Sequence, residues 1–424
     1  SLTSLDVNWN QLHDLSPLTN LTGLTRLFAS YNAGLTNHAV VTLPPGLQEL
    51  GLAGTGLSNL DFLTGISALY NLDLFNNPIQ DVTPLASLTG LTTLWIGDCQ
   101  ILDASPLASL TGLLSLWLSG NQLTNISFMT GMTDLQSLGL DRNPVSDLAA
   151  LTGLTNLWYL DISGVDAADL TPVSALTRLT ELNTGDLGLT DLSFLATLTN
   201  LTRFRANENS LSGLPPYPHL NRLTALNLQG NPLANINFVG GMTNLTELVL
   251  NNTGITDLTP LTGRNNLLNL SLAGNGLTVI SPLATLFDLR SLFLSNNHLQ
   301  DISALAGLTN LTYTDLLHNW LNTNAGSPAM TVIGMLQSRG TIVDYDPQDV
   351  APATLVLSEP AWLSGNQFQF TITSAPEAVV EIWTSTNLTT WTSAGYVTNT
   401  AGSTVFTDPS AGTQQKFYRA QLQP

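Results

Sequence analysis

The chain has 424 residues, with 30 Asp and Glu against 11 Lys and Arg, a net charge of −19, and Lys416 as its single lysine. That acidity makes nucleic acid and anionic membrane surfaces poor partners, and the lone cysteine, Cys99, excludes an internal disulfide. No apolar run reaches membrane-spanning length, and a chain this long exceeds one compact core unless it grows by adding repeated coils.

Such coils begin at once. The chain opens at Ser1-Leu2 inside a repeat, with neither signal peptide nor capping helix, which implies that an N-terminal segment has been removed. The unit is clearest at Leu69 to Gly90, LYNLDLFNNPIQDVTPLASLTG, where Leu72, Leu74 and Asn77 complete the pattern LxxLxLxxN. Leu72 and Leu74 alternate as in a strand and face inward, while Asn71, Asp73 and Phe75 face outward. After Asn77, Pro78 ends the strand, and Asp81-Val82-Thr83-Pro84 reads as a capped helical turn.

A second coil starts at Leu24 and carries an irregular loop, Ala33 to Gly46; register recovers at Leu47, and coils of constant length then follow one another from Leu69 through Leu91 and Leu113 to Leu289. Asn holds the ninth position in most of them, as at Asn77, Asn121, Asn143 and Asn209, with Thr55, Cys99 and Thr253 as substitutes; a side-chain amide there can donate and accept inside the turn. Cys99 is therefore expected to be structural. Only Val165 and Leu187 interrupt the series, which predicts local distortion or simple apolar filling in coils eight and nine. Asp14, Asp81, Asp103, Asp147, Asp169, Asp191, Asp257 and Asp301 share the thirteenth position, where a carboxylate caps the turn.

The fifteenth coil, from Leu311, departs from the pattern after Asn319. Ser327-Pro328 opens a helix closed by Gly340, Thr341 to Tyr345 adds a last strand, and residues 321–345 form a cap. From about residue 351 alternation replaces the leucine period: Phe368, Phe370 and Ile372 share one face, and runs near Thr354, Val379, Ala394, Thr404 and Lys416 are further strands. The expected fold is a right-handed leucine-rich repeat solenoid over residues 1–350, with a parallel sheet on its concave face and short 3-10 turns on its convex face. An immunoglobulin-like β-sandwich over 351–424 follows it.

The array resembles bacterial leucine-rich repeat proteins of the internalin kind, in units such as LTSLDVNWNQLHDLSPLTNLTG (Leu2 to Gly23), and WTSTNLTTWTSAG (Trp383 to Gly395) with FYRAQL (Phe417 to Leu422) resembles C-terminal modules of secreted bacterial proteins. The resemblance implies a secreted or cell-surface bacterial protein that grips a protein or polysaccharide on its concave sheet.

On that sheet Phe75, Trp95, Trp117, Trp158 and Tyr159 cluster across coils four to eight, interleaved with Asp73, Asp98, Asp141 and Asp161. Strands lie about 4.8 Å apart, so these side chains form one patch. The expectation is a ligand site centred on Trp95 and Trp117, against the alternative of mere sheet-packing pairs. A second grouping, Phe293, Tyr313, His318 and Trp320, is explained about as well by packing against the cap. Asp344, Asp346 and Asp349 are weak calcium candidates without a full loop motif. His13, His38, His219, His298 and His318 lie in different coils, and no HExxH, GxSxG or phosphate loop occurs. No cofactor and no catalysis are expected; the rival reading is a spacer or matrix module of a larger surface protein.

Overall fold

The computed structural model describes residues 2–35, 43–349, 355–364, 367–374, 378–399, 403–409 and 415–422. The middle of the loop Ala33 to Gly46, with His38, lies outside them, as does the start of the strand expected at Thr354. Two compact units divide at Gln348/Asp349.

The first unit is a leucine-rich repeat solenoid. Among the described residues, sixteen parallel three-residue strands, from Ser4–Asp6 to Ile342–Asp344, pair in sequence order. Every step between regular coils has the same length, so Leu72, Leu94, Leu116, Leu138 and Leu160 lie side by side and wholly buried. Short 3-10 turns such as Thr83–Ser87 and Ser105–Ser109 close the other side of each coil and bury Leu85 and Leu107. One leucine core runs the length of the unit, and truncating such a buried Leu to Ala costs about 2–5 kcal/mol.

Backbone polarity inside the coils is satisfied by the ninth-position side chains. Asn143 Nδ2 donates to Leu118 O (2.9 Å) and Leu140 O (3.0 Å), and its Oδ1 accepts from Leu123 N (3.1 Å). One amide thus joins two successive coils. Thr253 and Cys99 do less: the Cys99 thiol reaches Gly97 O at 3.4 Å and Leu74 O at 3.7 Å, and burial pushes its pKa up to about 11. That thiol is a structural donor, since no thiolate forms near neutral pH.

At the interruption, Val165 is buried and Leu187 half-buried. The strands are undisturbed there, with Leu160, Leu182 and Phe204 in register. Asn209 of the next coil keeps the bonds made in regular coils, its Oδ1 accepting from both Leu187 N (3.1 Å) and Leu189 N (2.8 Å), as Asn297 does from Asn275 N and Leu277 N. The departure is confined to the flank, where a groove of about 560 Å³ opens between Asp169, Leu187, Asp191 and Phe194.

The helix Pro328–Ser338 caps the array: Ser327 Oγ accepts from Met330 N, and Ala329, Val332, Ile333 and Leu336 are buried. The expected last strand is present at Ile342–Asp344. Beyond it, Gln348 ends the amide series. Its Nε2 donates to Leu316 O (2.9 Å) and its Oε1 accepts from Leu321 N (3.2 Å), the two kinds of backbone group that an asparagine serves in earlier coils.

In the second unit two three-stranded antiparallel sheets form a small β-sandwich: Val356–Leu363, Gln367–Thr373 and Ser403–Asp408 in one, Thr392–Asn399, Ala378–Ser385 and Phe417–Leu422 in the other. Phe370, Ile372, Val380 and Ile382 are its core. The first strand runs further than the sequence suggested. It continues past Pro360 through an irregularity between Ser358 and Ala361, which an edge strand tolerates.

Each thirteenth-position carboxylate accepts the backbone N–H two residues on, as Asp81 does from Thr83 (2.8 Å), Asp103 from Ser105 (2.8 Å) and Asp257 from Thr259 (2.9 Å). Asn59, Asn125 and Asn235 accept the same bond without charge. The hydroxyl and amide donors of the turn hold Asp81, Asp103, Asp169, Asp191, Asp257 and Asp301 below the usual carboxylate value.

Two outcomes are expected. A carboxylate with a depressed folded pKa stabilises the fold above its unfolded value of about 3.9 and loses that effect as pH falls through the folded value. Replacing Asp103, Asp169 and Asp257 together by Asn should therefore flatten the fall of melting temperature below about pH 4, as calorimetry across pH would show. Asn121→Ala strands Ile96 O, Leu118 O and Ile101 N; it should destabilise the array by about 1–3 kcal/mol in urea unfolding.

Candidate recognition surface

The constant length of the coils places equivalent positions of successive repeats in rows across the sheet. The fifth-position row reads Asp73, Trp95, Trp117, Gly139, Asp161, Asn183, Arg205, and the third-position row beside it reads Asn71, Thr93, Ser115, Ser137, Tyr159, Glu181, Arg203. Neighbours within a row sit one strand spacing apart, about 4.8 Å.

Trp117 does not stand up from the sheet. Its indole lies over Gly139, where a Cβ would come within 2.6 Å of Cε3, and its Nε1 donates to Ser115 Oγ at 3.1 Å. Lying flat, it reaches across one whole coil to Tyr159, with ring centroids 5.2 Å apart and a tilt of 35°. Trp158 meets Tyr159 edge-on at 6.0 Å. Phe75 uses the same device, covering Gly97 at 3.0 Å from the position of a Cβ. Any side chain in place of Gly139 would lift the indole off the sheet.

Trp95 differs from both. It is 45% exposed, pairs with Asp73 and Trp117 in the strand register, and among the described residues makes no ring contact. Trp158 is 44% exposed. The structure therefore brings Trp117, Tyr159 and Trp158 together as an aromatic shelf, with Trp95 on the adjoining strand. Phe75 is placed apart, over Gly97.

The acidic residues are less available than their sequence positions implied. Asp98 and Asp141 both bind Arg142, at 3.0 and 3.1 Å. Arg142 was not singled out from sequence; it stands in the same column of the repeat as Asp98, two coils on. Asp161 accepts from Ser163 N, Ser163 Oγ and Asn183 Nδ2 at 2.7–3.0 Å. Asp73 accepts only from Phe75 N among the described residues, and burial raises its pKa. Desolvation, with Asp161 next in effect, pushes the Tyr159 hydroxyl up to about 12, so it is a neutral hydrogen-bond donor.

The second grouping is divided. Phe293 and Tyr313 pack at 5.2 Å, and the Tyr313 hydroxyl donates to Asp344 on the last strand at 2.7 Å, which ties it to the cap. Trp320 instead stacks on His298 at 4.1 Å. Sequence reasoning also passed over an exposed pair at the other end, Trp9 stacked on Tyr31 at 3.9 Å. Both hold the eighth position of their coils, so their separation by one repeat was there to be read. Asp344 is engaged by Tyr313, and among the described residues no group of three His, Cys, Asp or Glu could hold a metal ion.

A family model described as Leucine Rich repeats (2 copies) matches residues 89–131 and 221–263. No curated protein matches the chain. Among solved structures, an internalin (inlF) from Listeria monocytogenes is 31% identical over 71% of this chain and 87% of its own, with a TM-score of 0.63. The functional domain of InlJ from Listeria monocytogenes, which includes a cysteine ladder, is 23% identical over 88% of each chain (TM-score 0.55). A leucine-rich repeat protein of Leptospira interrogans is 19% identical over 79% of this chain and 99% of its own (TM-score 0.60). The last two share the fold. Its identity to the inlF protein over most of both chains places this chain in the internalin family of bacterial leucine-rich repeat proteins.

Proposed function

We propose that the chain is a non-enzymatic recognition protein, secreted or held at a bacterial cell surface, that binds a protein ligand on the strand face of its repeat array. The observation that carries this reading is the shelf of Trp117, Tyr159 and Trp158 with Trp95 beside it, rings presented on a rigid sheet by neighbouring coils. Aromatic groups fixed before binding lose little freedom on contact and are the usual anchors of protein interfaces.

A polysaccharide would use the same rings and donate hydroxyl bonds to the four carboxylates among them. Three of those four, Asp98, Asp141 and Asp161, already bind Arg142, Ser163 and Asn183, and only Asp73 keeps most of its acceptor capacity, which favours a protein. The placement of the chain outside the membrane rests on family membership, and among the described residues no helix is long and apolar enough to cross a membrane. A spacer role gains no support from a face so uneven in chemistry.

Biotinylated wild-type chain should enrich aromatic- or aliphatic-containing sequences from a phage-displayed random dodecapeptide library more strongly than any glycan on a printed array. Trp95→Ala combined with Trp117→Ala should weaken the selected peptides by a hundredfold or more, each anchor supplying about 2 kcal/mol, with unchanged circular dichroism. Equal binding by the double variant would show that the ligand sits elsewhere.

A further inference from the structure

Among the described residues, three arginines lie within strands of the array, and two of them are paired. Arg26 binds Glu49 at 3.2 Å. Arg203 reaches Glu181 at 3.5 Å on one side and, across the small Ala225, Glu247 at 3.8 Å on the other. Arg205, two residues on and half-buried in the same strand, has no carboxylate within ion-pair distance among the described residues. The two glutamates that could have neutralised it are held by Arg203.

One further donor stands beside Arg205. Its register partners on either side are Asn183 and Asn227. Asn183 spends its amide on Asp161, while Asn227 Oδ1 accepts from Gln229 N, which leaves the Asn227 Nδ2 as a donor with no partner among the described residues. Tyr159 and Arg205 stand on strands two steps apart, about 10 Å, so the aromatic shelf ends two coils from Arg205 on the same sheet. Half-buried on the sheet, Arg205 is a partly desolvated cation whose planar fork suits a carboxylate.

Resting on the reading of the shelf as a protein-binding site, we propose that Arg205, with Asn227, is a carboxylate subsite that selects a partner segment bearing Asp or Glu next to an apolar anchor seated on Trp95, Trp117 and Tyr159. The Trp117 ring lies over Gly139, three strand steps from Arg205 in one row, about 14 Å. An extended segment rises about 3.3 Å per residue, so its acidic residue falls about four positions from the residue anchored over the Trp117 ring. The complementarity is local: a protein of net charge −19 repels acidic partners at long range, and only a segment placed in this register recovers the attraction.

The test uses the random dodecapeptide library on the full chain, with Arg205→Gln and Arg205→Glu beside wild type. Wild type should return sequences with an acidic residue about four positions from an aromatic or large aliphatic one. Arg205→Gln should keep the apolar preference, lose the acidic one, and bind the wild-type peptides more weakly by about tenfold or more, the effect of removing one charge-assisted hydrogen bond. Arg205→Glu should turn the preference toward Lys and Arg. Apolar enrichment without an acidic preference, or an acidic preference surviving in Arg205→Gln, overturns the subsite while leaving the shelf intact. No enrichment on wild type overturns both.

Discussion

Everything in the array depends on how so short a coil disposes of the backbone groups that its tight turn leaves inside. The strands are three residues long, and the turns at their ends cannot pair with a neighbouring strand, so C=O and N–H groups would be stranded in a leucine core. One amide side chain per coil resolves this, donating to two carbonyls and accepting from an N–H of the coil before it. Because each asparagine ties its coil to the previous one, the polar series needs an end, which Gln348 supplies with a side chain one methylene longer. Where Val165 and Leu187 break the series, Val165 fills the site with apolar volume and Asn209 of the next coil still accepts from Leu187 N and Leu189 N.

With the repeat specified by leucines inside and amides at the turn, the outward strand positions are not fixed by the coil and vary from one repeat to the next. That separation is why the repeat was legible from sequence and the site only partly. Leu72 and Asn77 are fixed by their place within one coil, and one coil is visible in any stretch of chain as long as the repeat. The fate of Trp117 is decided by Gly139 in the following coil, that of Asp98 by Arg142 two coils on, and that of Arg205 by Glu181 and Glu247 being held by Arg203. These relations run across the sheet, not along the chain. They appear when the sequence is set out one repeat to a line, where Trp117 stands above Gly139 and Asp98 above Gly120 and Arg142. Gln348 lies beyond the last regular coil, and no periodic reading could have found it.

The acidic surplus divides along the same lines. Carboxylates of the turn side accept a backbone hydrogen bond that Asn59, Asn125 and Asn235 accept without charge, so the turn forms with either side chain and these charges belong to the coil, not to a ligand site. Carboxylates around the aromatic shelf are mostly matched by an arginine or an amide nearby: Asp98 and Asp141 by Arg142, Asp161 by Asn183, Glu181 and Glu247 by Arg203. The net charge of the chain is therefore a poor guide to the chemistry that a partner meets on this part of the sheet.

That local pairing rests on small residues. A side chain can span two strand spacings only if the residue between is too small to obstruct it, and Gly120, Gly139 and Ala225 occupy those intermediate places: the first lets Arg142 reach Asp98, the second lets the Trp117 indole reach Tyr159, the third lets Arg203 reach Glu247. The second reach brings the rings toward Arg205 and the third engages the carboxylates on either side of its strand. The position of three small residues, none of which would attract notice as a binding residue, therefore determines where on a uniform sheet a distinct chemical surface arises.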